Sequence, residues 1–342
     1  MIRRAAGGAL RRLGLRSRTA AWVVAEPSPR RPKPVDFKLF GIIGAWTEED
    51  VIAATVANAF AQGCERVLLV DNNSADDTVG EAVRAGAELA ESFATEKYDE
   101  GLRLEIMNRV VQEASAQDGS DHIWWMWLDA DEFPHGPGGE TVREYLAHLD
   151  RRFRIVGARF INHFPDRTPA YVPGFHPLDF QPLGEEHLLG CRLHHRKHPL
   201  QRFDRAGRPI ICDRGFHRAS SLEQPLREPE QAIYLHHFPY REPEVTRRRL
   251  ALLCATDETG RKRVVEGDDA ADGMVPRFET LDAVYRGEWA RVRNYRGDTD
   301  FSVAQPVPWT ELAPPSDWPS VRWYTEDDLD AARRAATRTV DL

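Results

Sequence analysis

Three carboxylates crowd the end of one apolar run: His122-Ile-Trp-Trp-Met-Trp-Leu-Asp-Ala-Asp-Glu-Phe133 closes on Asp129, Asp131 and Glu132, with no basic residue beside them. Uncompensated carboxylates repel one another and resist burial, so a core strand ending this way asks for a counter-charge. A divalent cation, manganese or magnesium, supplies one through oxygen ligands and shares its remaining positions with phosphate oxygens. The ordinary alternative is a strand that runs out into solvated acids, and this stretch alone balances the two. A second cluster is Val70-Asp-Asn-Asn-Ser-Ala-Asp-Asp-Thr78. A carboxylate at a strand end, here Asp71, can accept from a ribose hydroxyl or a base N–H, while Ser74 and Asp77 can cap the following helix. A plain Asx turn explains that loop equally well. Histidines gather late, at His187, His194, His195, His198, His217, His236 and His237. Strand alternation sends His236 and His237 to opposite faces, so one can meet a cleft as a metal or pyrophosphate ligand. A satisfied core histidine is the equal alternative. His194, His195 and His198 flank Arg196 and Lys197 and read as an exposed basic loop, because cationic neighbours disfavour a metal.

These groups need elements to position them. Phe37 to Gly44 reads as a buried strand, followed by a helix from Thr47 to Gln62 with Thr47 as its cap and Glu48, Glu49 and Asp50 in its first turn. Gly63 stops that helix. Val67 to Val70 is a second buried strand, ending at Asp71, and a helix from about 79 to 90 follows the polar loop. A short strand near 92–94 and a helix from 101 to 116 precede the tryptophan-rich strand, whose Trp124, Trp125 and Trp127 read as core. This alternation predicts an open α/β domain with a mainly parallel sheet. Ligands of such sheets sit outside the carboxyl ends of the strands, which puts Asp71 and Asp129/Asp131 on one rim.

From about Arg154 the pattern changes to strand-like pieces at 155–161, 210–212 and 232–238, separated by Pro/Gly-rich loops. That predicts a mixed or antiparallel extension, followed by a helix from about 247 to 255. Three segments result: a leader over 1–35, a body over 36–255 that divides near 150, and a polar extension over 256–342 with no assignable chemistry.

The 342 residues suffice for one large core or two modest ones, and 29% charged with 42% hydrophobic residues is ordinary for a soluble globular chain. The apolar runs are too short to span a bilayer. Cys64, Cys191, Cys212 and Cys254 are scattered without a CxxC pair, which fits a reducing, cytoplasmic setting. Eight Arg and one Lys against one Glu give residues 1–35 a charge of +8, so a net −8 leaves −16 for the rest. The leader can rest on anionic lipid as a basic amphipathic helix at the inner face of a membrane, or act as a tail with a Pro-rich linker. An acidic body makes nucleic acid a poor partner. No GxxxxGK[ST], GxGxxG or GxSxG motif occurs, so any bound phosphate must be held largely by metal and side chains.

Taken together, Asp71-Asn-Asn-Ser-Ala-Asp-Asp-Thr78 and Leu128-Asp-Ala-Asp-Glu-Phe133 resemble the donor loop and the DxD motif of family 2 glycosyltransferases of the GT-A fold. His236-His-Phe-Pro-Tyr-Arg241 is similar to the C-terminal motif of a bacterial branch, and the resemblance covers about residues 37–250. It implies a nucleotide-sugar donor, with uridine as the family-level base, and a glycan or other hydroxyl acceptor. Asp71 would contact the donor nucleoside, with Asn73 in the same loop and Ala45 and Trp46 alongside the base. Asp129 and Asp131 would hold the cation against the diphosphate, Asp131 more directly and His237 as a further ligand. Arg241 would pair with diphosphate, and Arg103 recurs where relatives contact the donor, although an exposed helix face explains Arg103 and Asn108 as well.

Inversion at the anomeric carbon needs a base for the acceptor hydroxyl. The family's Glu-Asp and Gln-x-x-Arg-Trp signatures are missing here. Candidates are Glu185 and Glu186 in Gly184-Glu-Glu-His187, and Asp213 in Cys212-Asp-Arg-Gly-Phe-His217, each weighed against a solvated loop carboxylate. The competing readings are a metal-dependent phosphohydrolase or nucleotidyltransferase, and a non-catalytic nucleotide-sugar-binding scaffold.

Overall fold

A computed structural model of the chain describes residues 23–24, 36–95, 99–165, 171–186, 197–205, 210–216, 218–220, 226–253, 278–291, 293–296, 300–303, 305–313 and 324–340. The leader apart from Val23–Val24, and His187, His194, His195 and His217, lie outside these residues.

Four strands make a parallel half-sheet: β1 (Lys38–Ala45), β2 (Arg66–Asp71), β3 (Glu88–Ser92) and β4 (His122–Asp129), in the order β3-β2-β1-β4. Helices α1 (Ile52–Ala61), α2 (Thr78–Arg84) and α3 (Glu100–Asp118) connect and cover it. β4 is apolar without alternation because both faces are buried. Trp124, Met126 and Leu128 pack with Ile52 and Val56 of α1, while Ile123, Trp125 and Trp127 pack with Leu104, Met107 and Val111 of α3. Asp99 caps α3 by accepting from the Leu102 N–H, and Gly119 ends it at φ 85°.

Two helix boundaries differ from expectation. α1 begins at Ile52 rather than at a Thr47 cap, because Glu48 and Asp50 are drawn into ion pairs with Arg241, and Thr47 turns at φ 61°. α2 ends at Arg84, where Gly86 at φ 105° turns the chain, so the next strand starts already at Glu88.

The second half is mixed, as the change of pattern predicts. β5 (Glu132–His135) and α4 (Val142–Ala147), the latter closed by a Thr141/Glu144 capping box, lead to β6 (Ile155–Phe164), β7 (Leu183–Glu186) and β8 (Lys197–Asp204). β8 runs antiparallel between β4 and β6, so Lys197 and His198 lie buried in a strand and not in an exposed loop. β9 (Ile211–Asp213) pairs with β10 (Arg218–Ser220), and β11 (Ile233–His237) lies parallel to β6 and antiparallel to β5. That double pairing sets His237 against both Glu132 and Asn162. α5 (Pro243–Leu253) follows.

Described parts of the extension after 255 complete the core. Ala283 and Val284 of α6 (Phe278–Tyr285) pack on Phe164, β12 (Val307–Pro308) adds to the sheet beside β7, and Leu329 of α7 (Glu326–Val340) joins Val51, Phe133 and Phe238.

Candidate active site at the strand-end rim

Parallel register aligns Ala45 with Asp71 and Gly44 with Asp129, so three strand ends share one rim. Ala45 is buried and Trp46 half-buried there. Asp71 is turned into its own loop. Its carboxylate accepts from the Ser74 hydroxyl at 2.6 Å and the Ser74 N–H at 3.0 Å, and the same hydroxyl accepts from the Thr47 N–H at 2.8 Å. Ser74 therefore does not cap α2, and neither does the Asp77 side chain. Asn73 turns the loop at φ 46°.

The acidic cluster at the end of β4 has cations that its neighbours in sequence do not show. Asp129 accepts from Arg103 Nη1 at 2.8 Å on one oxygen and from Lys197 Nζ at 2.8 Å on the other. Lys197 also donates to Glu132. Arg103 is buried and lies 5.2 Å from the Phe216 ring centre, with Lys197 at 5.4 Å from the same ring. Gly44 makes room for this arrangement, since a Cβ there would stand 2.5 Å from Arg103 Nη1. Both oxygens of Asp129 are thus engaged by cationic side chains.

Asp131 has a different company. Its Oδ2 lies 3.0 Å from Arg249, 3.4 Å from Arg241 and 3.6 Å from Nε2 of His237. Arg241 is wholly buried, with Asp50 at 2.6 Å and Glu48 at 2.5 Å, so it ties the β1–α1 loop to the core and does not reach outward to a diphosphate. Arg249 of α5 bridges Asp131 and Glu48, holding the latter at 2.8 Å.

Alternation sends the two adjacent histidines apart, as expected. Nδ1 of His237 meets Asn162 Oδ1 at 2.7 Å and donates its proton there. Nε2 then presents a lone pair toward Asp131, two donor atoms with no proton between them. That pairing, oriented from behind by Asn162, suits a divalent cation that completes its shell with phosphate oxygens. Among the described residues, no group of three or more His, Cys, Asp or Glu is placed to hold a metal ion.

His236 points the other way into a buried chain. Its Nε2 meets His135 at 3.0 Å and its Nδ1 meets His163 at 2.7 Å, and the outer rings reach the Gly136 and Gln181 carbonyls at 2.8 and 2.9 Å. Four contacts need four protons and three neutral rings carry three, so either one contact lacks its proton or one ring is charged. Burial favours neutrality, pushing His163 down to about 3.

Burial and pairing sort the charges at the rim. Burial pushes Glu132 up to about 8 and Glu48 up to about 7, against the pull of their cationic neighbours. Burial acts the same way on Asp129 and Asp131, but Lys197 and Arg103 hold the first well below the carboxylate range, and the cationic groups around the second hold it down as well. Lys197 stays charged, since its two carboxylates outweigh its desolvation. His237 is held by burial at about 4, which leaves its imidazole neutral.

Of the base candidates, Glu186 is engaged by Arg159 at 3.0 and 2.8 Å. Glu185 is buried. Asp213 ends β9, and its side chain is outside the described residues. Asn108 fixes that strand through the Cys212 backbone at 3.0 and 3.1 Å, and Glu100 accepts from the Gly215 N–H at 2.7 Å. The segment carrying Asp213 therefore lies against the Arg103–Asp129 corner. Sequence reasoning missed Glu48, Lys197, Arg249 and Asn162 as site residues. Arg249 had a signal in the run Arg247-Arg248-Arg249 opposite an acidic rim, and Lys197 had one in its apolar flank Pro199-Leu200.

No protein-family model matches the chain, and no curated protein matches it. Solved structures give partial likenesses. Glucosyl-3-phosphoglycerate synthase from Mycobacterium tuberculosis, in complex with Mg2+ and uridine diphosphate, is 12% identical over 41% of this chain and 51% of that one, with a TM-score of 0.25. The mannosyltransferase PcManGT from Pyrobaculum calidifontis, in complex with GDP-Man and Mn2+, is 19% identical over 44% of this chain and 40% of that one, at 0.25. S. aureus TarS is 15% identical over 74% of this chain and 45% of that one, at 0.32. The chain spans about half, or less, of the length of these neighbours. Among the described residues, no helix is long and apolar enough to cross a membrane.

Proposed function

We propose that this chain is a metal-dependent, inverting glycosyltransferase of the family 2, GT-A kind, moving a sugar from a nucleotide-diphosphate sugar to a hydroxyl of a glycan or other acceptor. The observation that carries the reading is the lone pair of His237 facing Asp131 at 3.6 Å, on the rim where the parallel strands end. Asp131 and His237 would hold a manganese or magnesium ion, which when bound would supply positive charge against the leaving diphosphate. Arg103 and Lys197 fix Asp129, whose backbone sets the direction of the loop to Asp131. Asp71, with Asn73, Ala45 and Trp46, frames the place for a nucleoside, and uridine is the proposed base.

The acceptor oxygen attacks the anomeric carbon as the bond to diphosphate breaks, and a carboxylate takes the hydroxyl proton. Asp213 is the proposed base ahead of Glu186, because its segment abuts the rim while Glu186 is neutralised by Arg159. Residues 36–150 would serve the donor and 151–255 the acceptor. A cytoplasmic setting is supported by Cys64 and Cys212, both buried and not joined in a disulfide, and the leader over 1–35 would touch the membrane surface peripherally.

The test is thermal stabilisation of the full chain by nucleoside diphosphates and nucleotide sugars, with and without manganese or magnesium, in the native protein and in Asp131→Ala. A base-selective, metal-dependent shift that the variant loses supports the reading, since only ligands of the folded state stabilise it. Absence of any such shift in folded native protein would sink it.

A further inference from the structure

Arg249 stands where its charge matters most. Its guanidinium lies 3.0 Å from the same Asp131 oxygen that faces His237, and it is anchored on its other side by Glu48 at 2.8 Å. Unlike the wholly buried Arg241, it keeps a margin of exposure, with 11% of its side chain accessible. It also comes from α5, an element separate from the strands that carry Asp131 and His237. Its neighbours on the helix are tied elsewhere: Arg247 to Asp282, and Arg248 at 3.8 Å from Glu49.

We propose that Arg249 is a positioning residue that competes with a divalent cation for Asp131 and passes to the donor diphosphate when the cation is taken up. This rests on the glycosyl-transfer reading for the identity of the second partner, but its first half concerns Asp131 alone. Arg249 and Arg241 already share this oxygen of Asp131, so a cation added there repels both, and the partly exposed Arg249 is the one with room to turn away. A diphosphate would offer the displaced planar fork pairs of accepting oxygens, which suit a guanidinium better than an ammonium. Glu48 keeps the side chain at the rim during the exchange. The helix that carries Arg249 would then be drawn toward the bound donor.

The experiment measures Mn2+ binding alone, by titration calorimetry or by loss of the free Mn2+ resonance, in native full-length protein, Arg249→Met and Arg249→Lys, with Arg248→Met as a control. A second titration adds uridine or guanosine diphosphate in the presence of Mn2+. Arg249→Met should bind Mn2+ alone about tenfold more tightly, equivalent to about 1.4 kcal/mol, and the diphosphate about tenfold more weakly. Arg249→Lys, which keeps the charge but cannot span Glu48 and Asp131, should fall between and serves if the Met variant does not fold. Arg248→Met should move neither constant. A purely structural Arg249 would lower both affinities together, and unchanged or weaker Mn2+ binding in Arg249→Met overturns the competition. Unchanged diphosphate binding in that variant overturns the transfer to donor. Native protein that binds Mn2+ but neither diphosphate would count against the glycosyl-transfer reading instead, while the Mn2+ comparison still decides the competition at Asp131.

Discussion

Asp71 and Asp129 end the two strands that flank β1, on the same rim, and they are satisfied in opposite ways. Asp71 closes on Ser74, three residues ahead, through neutral donors at 2.6 and 3.0 Å. Asp129 is held by Arg103 and by Lys197, 26 and 68 residues away in the chain. The first loop is a local turn that stands by itself. The second is a junction in which β4, α3 and β8 must all arrive before its charge is balanced. Burial without pairing is costly for a carboxylate, so the second arrangement makes stability at the rim depend on the whole fold.

The sharpest way to break this contrast is Lys197→Met, which leaves Asp129 to Arg103 alone and removes the donor that Glu132 shares with it. It should lower stability by about 3–5 kcal/mol in urea unfolding, the range for opening a buried pair from one side. A loss below about 1 kcal/mol would mean the pair behaves as if solvated, and the contrast with Asp71 would fall. Gly44→Ala comes next. Its Cβ would stand 2.5 Å from Arg103 Nη1, whereas the same change at Gly41 meets nothing nearer than 3.5 Å. Denaturation should show about 1–3 kcal/mol lost at Gly44 and much less at Gly41. Equal losses would show that Arg103 swings clear without penalty.

On the local side, Ser74→Ala should cost about 1 kcal/mol and leave Mn2+ binding unchanged, because it removes one donor to Asp71 and the acceptor of the Thr47 N–H, neither of which touches Asp131. A large effect on Mn2+ affinity would join the two loops into one device.

The smallest effect is a slope. Glu48 and Glu132 are raised from 4.5 to about 7 and about 8, so the folded chain retains protons there that the unfolded chain has released. Their contribution is full below pH 4.5 and is lost as pH rises through about 7 and about 8. His237 acts in the other direction: lowered from 6.5 to about 4, its contribution is present above pH 6.5 and is lost as pH falls through about 4. Glu132→Gln should therefore flatten the decline in melting temperature toward pH 8, with the acid side unchanged. An identical alkaline slope in the variant would assign the decline to other groups.

The parallel half was legible in the order and kind of its elements, less so in their boundaries. Buried strands announce themselves as apolar runs, and Gly63 marks a helix end with positive φ. The misreadings were those of side chains with two possible partners. Thr47 looked like a helix cap and Ser74 another, yet their groups meet each other and Asp71. Glu48 and Asp50 suit a helix first turn, but Arg241 and Arg249 attract them more strongly than partial helix charges do. Lys197 and His198 read as surface because their sequence neighbours are cationic, and β8 buried them between β4 and β6.

By itself, the sequence determined where the strands end and that acids lie at those ends, because backbone hydrogen bonding and apolar burial follow local pattern. It also determined that His236 and His237 face opposite ways, because strand geometry allows nothing else. Only the tertiary structure decided which cation answers which carboxylate. Those partners come from β8, α3, β11 and α5, and electrostatic pairing depends on distances in space that no spacing along the chain encodes.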